Sequence, residues 1–351
     1  MLNFCTLFDS NYLARGIALY QSLEKSCPAF HLYVFAFDDN CYEYLKSQNF
    51  NCLTAISLKQ FEDEELLGIK SSRSTAEYCW TCTPSTIRYC IQQYNLDACT
   101  YLDADMIFYA DPKVLLDEMG TKSVLITKHR YSRLYDQSGY SGTYCVQFMC
   151  FKNTEKGLTV LNWWRDRCIE WCYARSEDGK FGDQKYLDDW TTRFDNVHVL
   201  EHLGGGIAPW NVQQYSFYKE QDEIWLSERS SGRKFPVIFY HFHGVKFYTD
   251  SKVVFAGPLY EITNAVKKIF YYPYTRQLVS IADNIKKQGK VYNPNGAFQP
   301  SLSASKIFTQ FLKDHFTAFL RYIPGAFHIK NYNFKNHNHQ YLIKDIAENN
   351  L

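Results

Sequence analysis

Thr100–Pro112, TYLDADMIFYADP, is the stretch on which the reading of the chain turns. Thr100, Tyr101 and Leu102 before the two acids, and Met106, Ile107, Phe108 and Tyr109 after them, have the β-branched and aromatic character of a buried strand. Strand side chains alternate faces, so Asp103 and Asp105 point one way and Ala104 points into the protein. Two carboxylates on one face repel unless a cation lies between them, and a hard divalent ion prefers oxygen ligands. Such an ion keeps positions open for a diphosphate. An Asp-x-Asp also closes ordinary surface strands; here the hydrophobic lead-in and the Asp111-Pro112 exit set it apart.

The chain has 351 residues, 46% of them hydrophobic and 21% charged, enough for one large α/β domain or two smaller ones. A formal net charge of +1 gives no global case for nucleic acid. It conceals an asymmetry, because Glu261 to Leu351 carries 12 Lys and Arg against 5 Asp and Glu. A basic tail on a mildly acidic body suggests an anionic surface as partner. All 12 cysteines lie between Cys5 and Cys172, many inside apolar runs where a free thiol packs as a small hydrophobe. Cys79 and Cys82 form a C-x-x-C pair, but no second pair follows at zinc-ribbon spacing. The opening MLNFCTLFDSNY has no basic start and no long apolar core, and no run approaches a membrane span, so the expected compartment is a reducing cytoplasm.

Strands are expected over residues 3–8, 31–37 and 52–58, alternating with helices that begin near Leu13 and Tyr42. This alternation is the mark of a doubly wound α/β sheet, whose C-terminal edge binds ligands. Residues 76–94 have helical spacing, interrupted near Pro84; Arg88 there either faces a nucleotide or is a plain exposed arginine. Further strands are expected over 122–128, 144–151, 197–201 and 235–243, with helices over 158–175 and 183–190. No linker is evident before about residue 260, which suggests a domain over 1–260 and a helical, basic, aromatic appendage over 261–351.

Val237–Lys246, VIFYHFHGVK, is the second informative stretch. A hydrophobic strand delivers His241 and His243 to one side, and a neutral imidazole complements two aspartates around a metal. Gly244 permits close backbone approach, and Lys246 is placed to neutralise phosphate. In the third stretch, Phe181-Gly182-Asp183-Gln184, Asp183 is either a helix cap or an acceptor for sugar hydroxyls, with the Gln184 amide near the reacting carbon.

Taken in order, the strand ending in Asp9-Ser10-Asn11-Tyr12, the YLDAD strand, the Gly-Asp-Gln start and the late His-x-x-Gly followed by lysine resemble the family 8 type of GT-A glycosyltransferases over residues 1–250. The resemblance implies a GT-A (Rossmann-like) fold and a retaining hexosyltransferase using a UDP-sugar and Mn²⁺ (or Mg²⁺). It implies that Asp103, Asp105 and His241 hold the metal, with His243 the alternative, that Lys246 meets the diphosphate, that Asp9 and Asn11 line the uridine pocket, and that Asp183 and Gln184 lie at the sugar. Lysine follows Gly244 by two residues where the family has three. Cys145-Val146-Gln147-Phe148 replaces the family's Asn-Ala-Gly-Val, which makes Gln147 the substitute sugar contact. Trp210 and Asn211 are candidates for an acceptor wall. The expected acceptor is a glycan or lipid-linked saccharide of lipopolysaccharide or capsule assembly. Residues 303–343, with cations and aromatics interspersed, are either a packed tail or a peripheral anchor at the cytoplasmic face of the membrane. A carbohydrate-binding scaffold and a sugar-phosphate nucleotidyltransferase are the other readings.

Overall fold

The computed structural model describes residues 1–221, 223–256, 260–290, 292–299, 312 and 340–348. Within the 303–343 stretch only residues 312 and 340–343 are described. The first half of the chain runs β1 (Leu2–Phe8), α1 (Leu13–Ser26), β2 (Phe30–Ala36), α2 (Asp39–Ser47), β3 (Leu53–Ser57), α3 (Thr75–Gln93), β4 (Ala98–Leu102), β5 (Met106–Phe108), β6 (Val124–Lys128) and β7 (Tyr144–Lys152). After α4 (Glu155–Glu170) and β8 (Val197–Val199), the main sheet is complete, in the order β3-β2-β1-β4-β7-β6-β8.

The architecture is α/β, as expected, but the sheet is mixed. β3, β2, β1 and β4 pair in parallel; β7 runs against both β4 and β6; β8 is parallel to β6. Only β7 opposes the rest, because β6 and β7 are consecutive neighbours joined without a crossover helix. α3 also departs from expectation. It continues through Pro84 for 19 residues, capped at Ser74 by a reciprocal bond with Glu77. Proline cannot donate to the preceding turn, yet α3 packs on α4, β1 and β4. Tertiary contact outweighs the local break. The expected 235–243 strand is divided: β11 (Lys234–Pro236) closes a meander with β9 (Tyr215–Glu220) and β10 (Glu223–Glu228), and β12 (Phe239–His241) turns away to pair with β5. The helix expected over 158–175 is α4, which ends at Glu170.

Two cores flank the sheet. One joins Cys5, Phe35, Ile87 and Tyr101 to Phe151, Trp164 and Trp190. The other joins Phe4, Leu19 and Leu32 to Phe239, Phe242, Tyr271 and Leu278, and so includes α5 (Tyr272–Lys287), which lies on α1. A last antiparallel sheet holds β13 (Lys246–Tyr248), β14 (Lys252–Val254) and β15 (Gln340–Leu342). All 12 cysteines are free, most of them buried. Cys5, Cys90 and Cys99 meet between β1, α3 and β4.

Candidate functional site

The acids and the late histidine converge because β5 leaves the main sheet. β4 ends at Leu102; Asp103 donates its backbone N–H to the Gln147 carbonyl (3.1 Å), and buried Ala104 anchors the turn. β5 then pairs antiparallel with β12, in a register that sets His241 opposite Met106. The Phe242 N–H closes the corner on the Asp105 carbonyl (2.9 Å). His241 Nε2 therefore lies 3.1 Å from Asp105 Oδ1 and 3.7 Å from Asp103 Oδ2. One donor atom from each of Asp103, Asp105 and His241 falls within 4.8 Å of the others. Among the described residues, His243 joins no such group. Its ring is 5.8 Å from that of His241 and packs beside Trp210.

The electrostatics are those of a site short of positive charge. Burial pulls His241 toward its neutral form, but the Asp105 carboxylate opposite it wins, and its pKa stands well above the usual imidazole value. Burial raises Asp105 while His241 lowers it further, to about 2. Asp103, raised by burial and by Asp105 against the pull of His241, titrates at about 6. A proton on His241 thus balances carboxylates that a divalent cation would otherwise balance. Two carboxylate oxygens and an imidazole nitrogen within 4.8 Å fit such an ion.

Asp103 and His241 open on a cleft of about 360 Å³, walled by Trp80, Tyr131, Tyr140, Phe181 and Trp210 and floored by Asp183. Asp183 is 6% exposed, and its carbonyl accepts the Trp164 indole N–H (2.9 Å). Burial, then the Asp103 charge, lift its carboxyl to about 8. The unfolded carboxyl ionises near 4. Asp183 therefore contributes stability in full below about pH 4, and loses it as pH rises through about 8. Asp183→Asn is expected to stabilise the metal-free protein at pH 8 and to change little at pH 4. Melting curves across pH check this at about 2–4 °C per kcal/mol recovered; a shift independent of pH would contradict it.

Gln184 also lines the cleft, its amide donating to the Ser141 carbonyl (2.7 Å). The wall segment is tied down twice more, by Lys185 to the Ser138 carbonyl and by the Thr143 N–H to Asp188. Asp9 accepts from the Asn11 backbone and side chain at the start of α1. Gly244 has φ +84°, the turn that brings Lys246 to the surface beside Phe298. Trp210 lines the cleft but is 4% exposed, with its indole N–H on the His129 carbonyl.

Several expected residues do not line this cleft, Asp9, Asn11, Gly244 and Lys246 among them. Arg88 is half-buried on α3 and is not part of the cleft wall. Asn211 is fully buried; its amide spans the His129 and Gly206 carbonyls and the Ala208 N–H, so it braces the glycine loop and is not part of the cleft wall. Gln147, also fully buried, bonds His241 Nδ1 (2.8 Å) from behind. Arg15, not singled out in the sequence, ties α1 to the histidine segment through the Val245 and Asn295 carbonyls. An arginine amid Leu13, Ala14, Gly16 and Ile17 was the available signal.

The chain is 30% identical to the uncharacterized protein YfnD of Bacillus subtilis (strain 168) over 288 residues, 81% of this chain and 91% of YfnD. It is 30% identical to YfnF of the same strain over 258 residues, 71% of this chain and 84% of YfnF. It belongs to the family of these two proteins. No family model matches it. Among solved structures, the galactosyltransferase LgtC in complex with donor and acceptor sugar analogues overlaps 82% of this chain and 100% of its own, at 13% identity and a TM-score of 0.49. Mouse xyloside xylosyltransferase 1 overlaps 69% and 97%, at 12% identity and 0.43. At such identities function has to be argued from the site residues.

Proposed function

We propose that the protein is a GT-A glycosyltransferase that moves a hexose from a UDP-sugar to a glycan or lipid-linked saccharide acceptor, with retention of configuration. The observation that carries this reading is that one donor atom from each of Asp103, Asp105 and His241 falls within 4.8 Å of the others, with Asp103 and His241 lining a cleft. Mn²⁺ or Mg²⁺ held by these three would supply positive charge against the diphosphate of the donor. Asp9 and Asn11 line the uridine end, and Gly244 and Lys246 meet the diphosphate. Asp183, on the cleft floor, hydrogen-bonds a sugar hydroxyl. Gln184 lies beside the anomeric carbon, and the Trp210 side of the cleft receives the acceptor. The anomeric C–O bond to phosphate breaks as the bond to the acceptor oxygen forms on the same face, and the acceptor proton passes to the departing phosphate.

Residues 1–260 form the catalytic unit, with α5 of the 261–351 segment sharing its core. Among the described residues no helix is long and apolar enough to cross a membrane. We assign the protein to the cytoplasm, with the basic tail at the membrane face. The test is a panel of UDP-sugars with and without Mn²⁺, read by thermal shift and by UDP release. Binding of the folded state alone raises the melting temperature by mass action. The expected result is a shift and UDP release with one or a few UDP-hexoses, dependent on Mn²⁺, and a product that keeps the donor's anomeric configuration. Saccharide binding with no UDP release from any donor favours the scaffold reading.

A further inference from the structure

We infer that Gln147 is a positioning residue for the candidate metal site: its amide fixes the tautomer and orientation of His241, presenting Nε2 to a cation held with Asp103 and Asp105. The inference rests on the metal reading proposed above. It assigns to Gln147 a role other than the sugar contact expected from the sequence.

An imidazole that binds a metal through one nitrogen needs its proton on the other. His241 Nε2 faces the two carboxylates, and Nδ1 lies 2.8 Å from Gln147 Oε1 in a fully buried pair. A carbonyl oxygen only accepts, so Nδ1 keeps its hydrogen, and Nε2 is the nitrogen that would give up its proton and offer a lone pair to a cation. Turned over, the amide would set an N–H against Nδ1 and drive the ring proton onto Nε2, toward the carboxylates, which cancels ligation. The orientation of an amide follows from its surroundings; Gln147 Nε2 is buried with no hydrogen-bond partner among the described residues, so the contact of Oε1 with Nδ1 is what orients it. Gln147 Nε2 packs against Gly206, where an added Cβ would sit 3.2 Å from it and 3.1 Å from Thr127 Cγ2, at φ +104°. The same loop holds His241 directly, through its N–H on the Ile207 carbonyl (2.8 Å). Trp210 meets the imidazole ring at 90°, 5.3 Å away.

Gln147 also touches the other side of the site. Its backbone carbonyl accepts the Asp103 N–H (3.1 Å), so one residue of β7 holds candidate ligands nearly 140 positions apart. This gives the antiparallel β7 and the glycines at 204–206 a shared purpose, since they bring an amide and a bare backbone behind the ring. Partners of this kind change metal affinity by about 10–100-fold when removed.

The experiment is Mn²⁺ binding to the full chain, read from the electron paramagnetic resonance of free Mn²⁺, for wild type, Gln147→Leu, Gln147→Glu and Asp103→Asn, with melting curves to verify folding. Gln147→Leu is expected to raise the Mn²⁺ Kd about 10–100-fold, and Gln147→Glu, which still accepts from Nδ1–H, to leave it equal or lower. Should the leucine variant fail to fold, the glutamate variant decides: binding as weak as that of Asp103→Asn overturns the tautomer assignment. Kd values within twofold of wild type for both Gln147 variants overturn this inference and leave the metal site standing. A wild type that binds no Mn²⁺ better than Asp103→Asn overturns both.

Discussion

Asp105→Asn and Asp103→Asn are each expected to lower the transfer rate by about 10²–10³-fold, the usual cost of one preorganised charge partner in a transition state. They should nevertheless move the stability of the metal-free protein in opposite directions. Asp105 titrates at about 2 because the partner His241 outweighs its burial. Its contribution is present above about pH 4 and is lost as pH falls through about 2. Replacing it removes a favourable partner of His241 at neutral pH, so the melting temperature falls. Asp103 titrates at about 6, raised by burial and by Asp105. Its stabilising contribution is complete below about pH 4 and gone once pH passes about 6, so at pH 7–8 its ionised form is a liability. Asp103→Asn should therefore melt higher than wild type there. Equal shifts of one sign would mean that the two acids do not share one His241.

The largest loss of stability is expected from Trp164→Ala, at about 3–5 kcal/mol. Trp164 is fully buried on α4, stacks on Phe151 of β7 at 6.1 Å and meets the Trp190 ring edge-on at 5.7 Å. At roughly 2–4 °C per kcal/mol the melting temperature drops by about 10 °C, measurable by calorimetry. The residue has a second duty, since its indole N–H fixes the Asp183 carbonyl at 2.9 Å. Trp164→Phe keeps most of the packing and loses that bond, worth about 1 kcal/mol. A phenylalanine variant as damaged as the alanine variant would show that the bond to Asp183, not the ring volume, dominates.

The parts of the molecule legible in the sequence are those governed by local pattern. The apolar pattern is enough to end a strand at Asp103 and to put Ala104 inside, but the two acids come together through the turn between β4 and β5 and not by strand alternation; β1, β2 and β3 follow from short apolar runs between caps. Other features depend on partners far along the chain. Nothing in Tyr144–Lys152 signals that it runs against its neighbours, because strand direction is set by which strand it meets. Pro84 reads as a break until the packing of α3 on three elements is counted. Asn211 and Gln147 have the chemistry of ligand contacts, and only the fold shows one amide spent on the glycine loop and the other set behind His241. The convergence of His241 with Asp103 and Asp105 was legible as a requirement, but the register of β5 on β12 that satisfies it was not.

Anomalous diffraction at the manganese edge, from crystals of the full chain grown with Mn²⁺ and UDP, tests the central claim most directly. The prediction is one peak coordinated by Asp103, Asp105 and His241 Nε2, with a diphosphate oxygen on its open side. A diphosphate bound with no anomalous peak, or with the peak on other residues, would contradict it.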